Sequence, residues 1–344
     1  MKKILLLADE KSSHTQKWAD AVKAIGYDVM IFSFASSGKG DLQKSSYIKH
    51  LSRLKKTIRD YKPDLVHAHY ATSYGLLAAL SGFKPYLVSV WGSDVFDFPR
   101  RSFVHKFILK YNLSHSENVI SSSKVMSEEV KKYYNGPVTV IPFGIDLSVF
   151  KRTAPRKKSI TIGIVKSMED YYGIEDLIRA FKTVREKYAG IELKLLLVGG
   201  GSQIEKYKNL VSRLDLDRFV LFKGKISQEL VPQEHNEIDI FVNPSVHESF
   251  GVSVLEASAT ENPVIVTNVG GLTEVVVNNS TGLVVEQGNQ EELVKAISYF
   301  IDNREQIDIF GKRGRSFVSE NYDIKRINFT INDLYSSFLN RQTR

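Results

Sequence analysis

The stretch IDIFVNPSVHESFGVSVLEASATENPVIVTNVGG, Ile238 to Gly271, holds a complete β–α–β unit. IDIFV and VIVT are short Val/Ile-rich runs, and VSVLEASAT between them has helical composition. Strands that are apolar without alternation belong to parallel sheets covered by helices on both faces. Within it, Ser245–Ala259 is otherwise mostly small or apolar yet holds two carboxylates, Glu248 and Glu256, on either side of Phe250-Gly251-Val252. The strand closes at Pro244-Ser245, which leaves Glu248 in the loop and puts Glu256 in the second turn of the helix.

The same alternation runs outward in both directions. In the first half, KILLLA, DVMIFSF, DLVHAH, PYLVSVW, NVISSS and PVTVIPF read as strands. HTQKWADAVKAIG, IKHLSRLKKTIRDYK, SYGLLAALSG, VHKFILKYNL and SEEVKKYY between them have helical patterns. KRTAPRKKS, Lys151 to Ser159, breaks the pattern with five basic residues and a proline, and reads as a linker. Beyond it, ITIGIVKS, LKLLLVGGG, FVLFKGK, IDIFVNPS, NPVIVTNVGG and GLVVEQG end further strands, and the last 35 residues look helical. The expected fold class is therefore α/β, with two Rossmann-like doubly wound domains facing a central cleft. The expected boundaries are an N-terminal domain at 1–150, a linker at 151–159, a C-terminal domain at 160–320, and C-terminal helices at 321–344 packing back toward the N-terminal domain.

Composition narrows the chemistry. The 344 residues include no cysteine, which removes disulfides, thiolate nucleophiles and cysteine metal sites together. Lys2 and Lys3 before an apolar run faintly mimic a signal peptide, but the run is short and Asp9-Glu10 follow, so it reads as a strand. No run reaches the ~18 apolar residues of a membrane helix. The expected location is cytoplasmic, with a peripheral position on the inner face of the membrane as the sharper version. Residues 1–155 hold 23 Lys/Arg against 13 Asp/Glu, and the remainder 24 against 26. A basic first half suits an anionic partner such as a membrane surface. Nucleic acid is not expected, since no aromatic RNA-binding signature or recognition helix stands out. RRSFVHKFILKY, Arg100 to Tyr111, mixes cations with Phe103 and Phe107, as either a core helix with a charged back or a membrane-surface helix.

Motifs exclude as much as they suggest. The turn after the first strand, ADEKSSHTQKW, has no glycine, so the dinucleotide fingerprint G-x-G-x-x-G is missing, and no P-loop occurs. His67 and His69 share a strand face in DLVHAH, but no third ligand gives them metal spacing. No metal site and no cofactor are expected. The amides of Phe250, Gly251 and Val252 sit at a helix N-terminus, where unpaired N–H groups and the dipole favour an anion. A carboxylate on each side of that anion suits a sugar diphosphate, with hydroxyls at both ends.

PSVHESFGVSVLEASATENPVIVTNVGGLTEVVVNNSTGLVV resembles the donor-binding region of retaining family 4 glycosyltransferases of the GT-B type, also described as glycosyl transferases group 1. Their E-x7-E signature matches Glu248 and Glu256. PDLVHAHYA, SVWGSDV and VIPFGIDLSVF in the first half are similar to the same family. The resemblance implies metal-independent transfer from a nucleotide sugar, a UDP-sugar, to a saccharide or lipid-linked acceptor in surface polysaccharide or glycan synthesis. It implies that Glu248 contacts the transferred sugar, Glu256 the ribose, the amides of Phe250, Gly251 and Val252 the sugar and distal phosphate, and Lys166 the diphosphate. By the same resemblance Gly200, in the run Gly199–Gly201, lines the nucleotide pocket, Lys225-Ile226 pass near the base, and His69 faces the acceptor. The chain departs from the family in three places. Tyr172 replaces a second lysine, Trp91 replaces a histidine on the donor sugar and shifts that contact to Asp94, and Ser12 and Ser13 replace glycines under the phosphates. Two rival readings keep the same fold: a nucleotide-sugar epimerase, and a non-catalytic binding subunit.

Overall fold

The structure, a computed structural model, describes residues 1–34 and 44–340. The chain forms two compact units, one of residues 1–142 with 325–344, the other of residues 143–324. The expected boundary after residue 150 falls instead after Pro142, and Lys151–Ser159 is not a linker. Arg152 donates to the Asn236 and Ile238 carbonyls and to Asn262 Oδ1, and Arg156 pairs with Asp239 and Asp308, all within the second unit. The basic run reads as linker because it lacks apolar residues. Its guanidinium groups do the anchoring instead, as multi-donor forks on carbonyls and carboxylates.

The first unit holds β1 (Lys3–Leu7), β2 (Asp28–Phe32), β3 (Leu65–His69), β4 (Tyr86–Val90), β5 (Asn118–Ser121) and β6 (Val138–Val140) in the order β2-β1-β3-β4-β5-β6. The second holds β7 (Ile160–Val165), β8 (Leu193–Val198), β9 (Val220–Gly224), β10 (Ile240–Asn243), β11 (Val264–Thr267) and β12 (Gly282–Val285) in the order β12-β11-β10-β7-β8-β9. Every neighbouring pair is parallel. Each strand expected from the sequence is present, and both sheets are doubly wound, with helices following the strands.

The helices obey the local rules with one instructive shift. Helix Lys124–Lys131 begins ahead of the expected SEEVKKYY because the Ser123 hydroxyl accepts from the Met126 amide at 3.1 Å and caps it there. Helix Ile324–Leu339 lays Ile327, Ile331, Tyr335 and Phe338 into the first unit's core beside Ile4, Leu6, Trp18 and Leu65. Residues 341–344, the end of the expected helical tail, lie outside the described residues.

A polar knot pins this last helix. The Tyr335 hydroxyl accepts from Trp18 Nε1 at 3.0 Å and bonds His67 Nδ1 at 2.7 Å, while His67 Nε2 bonds Ser89 Oγ at 2.8 Å. Trp18, His67 and Tyr335 are all buried. Burial keeps the His67 imidazole neutral, well below its usual pKa. Tyr335→Phe preserves shape but strands two buried polar groups, so urea unfolding should show a loss of about 2 kcal/mol. A change under about 0.5 kcal/mol would mean that the knot is not what seats the helix.

Candidate active site

In the second unit the strand order reverses between β7 and β10, which lie side by side and parallel, with Ile240 opposite Ile162 and Phe241 opposite Gly163. From β7 the chain winds toward β9, and from β10 toward β12. Helices then leave opposite faces, and the carboxyl ends of these two strands mark the switch point at which doubly wound folds bind ligands. Lys166 directly follows β7, and Glu248 lies in the loop that follows β10.

Close backbone approach, made possible by glycine, joins these strand-end loops. A Cβ on Gly199, whose φ is 140°, would strike the Lys166 carbonyl, and one on Gly201 would strike that of Met168. Lys166 N donates to Val198 O at 2.8 Å and Met168 N to Gly200 O at 3.0 Å, so the two loops run as a tight pair. A Cβ on Gly173 would meet the Pro244 carbonyl, and one on Gly270 that of Glu248, which also accepts from Gly271 N at 3.0 Å. The Tyr171 carbonyl accepts from Val246 N at 2.8 Å. The loops after β7, β8, β10 and β11 are thus stitched backbone to backbone.

This framework brings Lys166 and Glu248 together. Lys166 Nζ sits 2.5 Å from Glu248 Oε2, with side-chain exposures of 14% and 11%. Lys166 Nζ also lies 4.4 Å from the centre of the Tyr172 ring, a cation–π contact. Burial, then the Glu248 charge, raises the Tyr172 phenol, which stays neutral. Beside the pair, helix Val252–Ala259 starts at Gly251 with φ 109°, and its bonding begins with Val254 N and Leu255 N, both to Gly251 O. The amides of Gly251, Val252 and Ser253 therefore have no partner within the helix. Phe250 turns its ring inward against Phe143 and Tyr322 and offers only its backbone.

Glu256 is buried on the same helix, and its Oε2 lies 3.7 Å from Nε2 of the fully buried His235. Sequence reasoning missed His235. Nothing in PQEHNEIDIF marks the histidine, which becomes visible only when helix Val231–Asn236 packs beside Glu256. It also missed the Lys166–Glu248 pair, whose partners are 82 positions apart. Gly200 adjoins Lys225, where a Cβ would lie 3.1 Å from the lysine Cβ, and the half-buried Ile226 follows against the core.

The remaining candidates belong to the first unit. His69 ends β3, is buried, and neither ring nitrogen has a hydrogen-bond partner in the protein. It packs 4.8 Å from the Trp91 ring, and burial, helped by His14, lowers its pKa to about 3, so the ring is neutral at ordinary pH. Asp94 is fully buried. Its Oδ2 accepts from Ala71 N at 2.8 Å, and its Oδ1 from Trp91 N at 3.1 Å and Gly92 N at 2.9 Å. Both oxygens are engaged, so Asp94 clamps the Trp91-Gly92 turn rather than presenting an open acceptor. Burial raises its pKa against the pull of those amides. Ser13 is exposed at the start of helix Ser13–Ala24. Among the described residues, no three His, Asp or Glu side chains gather into a metal-binding group.

Two family models match, glycosyl transferases group 1 over residues 147–317 and glycosyl transferase 4-like over residues 3–123. The chain belongs to the group 1 glycosyltransferases. A glycosyltransferase of Methanocaldococcus jannaschii is 28% identical over 276 residues, 79% of this chain and 75% of that relative. Sucrose-phosphate synthase from Thermosynechococcus elongatus shares the fold with TM-score 0.84 at 20% identity, over 98% of this chain and 99% of that one. Anabaena HepE in complex with UDP-glucose shares it with TM-score 0.81 at 19% identity, over 98% of this chain and all of that one. The fold class is that of GT-B glycosyltransferases.

Gly199→Ala tests the stitching. A side chain at that φ, pressed on the Lys166 carbonyl, should destabilise the second unit by about 1–3 kcal/mol. Gly190, with nothing within 4 Å of its would-be Cβ and no positive φ, is the control, and Gly190→Ala should be near neutral. Equal effects in denaturant unfolding would show that the loops do not depend on this contact.

Proposed function

We propose that this group 1 glycosyltransferase moves a sugar from a UDP-sugar to a saccharide or lipid-linked acceptor, with retention of anomeric configuration and without a metal ion, in surface polysaccharide or glycan synthesis. The observation that carries the reading is the partly buried Lys166–Glu248 pair at the sheet's switch point, beside the open N-terminus of helix Val252–Ala259. The UDP-glucose bound by the structurally similar HepE supports a uridine diphosphate donor.

Each group has a physical task in this reading. Lysine has three N–H donors. Lys166 can keep Glu248 with one and give the others to the distal phosphate, where negative charge grows as the glycosidic bond breaks. The amides of Gly251 and Val252 add partial positive charge from the helix end, and Phe250 adds its backbone N–H. These fixed donors neutralise the leaving group in place of a divalent cation. Glu248 accepts from sugar hydroxyls and offsets positive character at the anomeric carbon. Glu256 accepts from the ribose hydroxyls. Neither carboxylate acts as the acid or nucleophile of a glycosidase pair. Attack comes on the face the leaving phosphate vacates, and that phosphate takes the acceptor proton. In the first unit, neutral His69 can hydrogen-bond an acceptor hydroxyl, and Asp94 holds the Trp91 turn that covers it.

Steady-state kinetics on two variants separate the carboxylates. Glu248→Gln should lower kcat roughly a hundredfold, the scale of one lost electrostatic contact in the transition state. Glu256→Ala should raise the donor KM with kcat little changed, because it removes binding common to ground and transition states. Reversal of that pattern would overturn the assignment. Product NMR should show the donor's anomeric configuration, and inversion would refute the chemistry. Turnover should persist in EDTA; loss restored by Mg²⁺ or Mn²⁺ would show that Lys166 and the amides do not suffice.

A further inference from the structure

Helix Phe103–Ser114 turns its largest side chains away from the core. Phe103 is 85% exposed, Phe107 68% and Val104 47%, whereas the buried residues are Leu109, Asn112 and Leu113. Asn112 is spent on the interior, donating to the Ala71 and Thr72 carbonyls. At 100° per residue, Phe103 and Phe107 share one outward stripe with Lys110, and Lys106 lies on its flank. No packing requirement explains two phenylalanines there, since the helix is already seated by its opposite face.

The segment's own charges are of one sign. From Arg100 to Lys110 the chain carries Arg100, Arg101, Lys106 and Lys110 and no acidic residue. Arg100 pairs with Glu129 yet keeps 60% of its side chain exposed. The asymmetry extends to the whole unit. Residues 1–142 with 325–344 hold 25 Lys/Arg against 13 Asp/Glu, a net +12, while residues 143–324 hold 22 against 26, a net −4. Exposed aromatics on a convex helix, ringed by cations, match the boundary between anionic headgroups and acyl chains. The absence of an acidic rim between Arg100 and Lys110 disfavours a mixed-charge protein interface. Among the described residues no helix is long and apolar enough to cross a membrane, so attachment of the described fold would have to be superficial.

We propose that helix Phe103–Ser114 is a docking surface for an anionic lipid bilayer, with Phe103 and Phe107 inserted at the headgroup boundary and Arg101, Lys106 and Lys110 on lipid phosphates. The surface stands on the first unit alone and is independent of the donor chemistry. Joined to that chemistry, it favours an acceptor presented at the membrane over a free saccharide.

The test is co-sedimentation of the full chain with phosphatidylglycerol-containing vesicles and with pure phosphatidylcholine vesicles, at low and high salt. Wild type should pellet with the anionic vesicles at low salt and lose binding in high salt or on phosphatidylcholine. Arg101→Glu/Lys106→Glu/Lys110→Glu should weaken binding about a hundredfold or more. Phe103→Ser/Phe107→Ser should weaken it about tenfold with the charge intact. Both variants should unfold at the wild-type temperature and retain UDP binding. Inorganic phosphate at matched ionic strength should not compete beyond its effect as a salt, which separates a bilayer from a simple phosphate site. Failure of wild type to pellet at low salt, wild-type binding by both folded variants, or specific competition by phosphate would each overturn the proposal.

Discussion

The second unit depends on how closely four loops can approach one another at the carboxyl ends of β7, β8, β10 and β11. Gly199 against the Lys166 carbonyl, Gly173 against that of Pro244 and Gly270 against that of Glu248 are contacts that a Cβ would forbid. Glycine carries an entropic penalty on folding. Here that penalty is offset by rigid placement of a lysine and a glutamate from strands distant in sequence. The hydrophobic core beneath, from Ile162 and Ile164 through Phe241 and Val254 to Val266, holds the strands in register, and the glycines carry that register into the loops.

A buried ion pair is weak evidence for stability, because desolvating both charges offsets much of their attraction. Lys166 and Glu248 are partly buried, and Tyr172 lies under the ammonium. The proposed function accounts for the arrangement, since an ammonium held in place need not reorganise when a diphosphate arrives. Glu256 follows the same logic one helical turn deeper, with His235 behind it. Catalytic groups in this account are few, and much of the framework exists to aim them.

The fold was legible because its signals are local. Val/Ile runs such as NPVIVT and ITIGIV, separated by helical spacing, mark the strands, and all twelve strands of the described residues were readable in this way. Glu248 and Glu256 stand out in the sequence against apolar neighbours, and the structure sets them beside Lys166 and His235. What the sequence concealed is non-local. The division after Pro142 is invisible because Lys151–Ser159 looks like a linker until Arg152 and Arg156 find their carbonyls and carboxylates. Asp94 looks like an open acceptor in WGSD until three amides occupy it. His235 and the Lys166–Glu248 contact need the folded chain. The outward turn of Phe103 and Phe107 could not be told from a core stripe, because both readings share one helical period.

The central claim is that Lys166, held by Glu248 at the end of β7, meets the donor's distal phosphate. A crystal structure of the full chain with UDP-glucose, or with UDP if the sugar is hydrolysed, tests this most directly. The account predicts Lys166 Nζ within about 3.2 Å of a distal phosphate oxygen, with the phosphate facing the N-terminus of helix Val252–Ala259. A nucleotide bound elsewhere, or a distal phosphate out of reach of both Lys166 and that helix end, would contradict it.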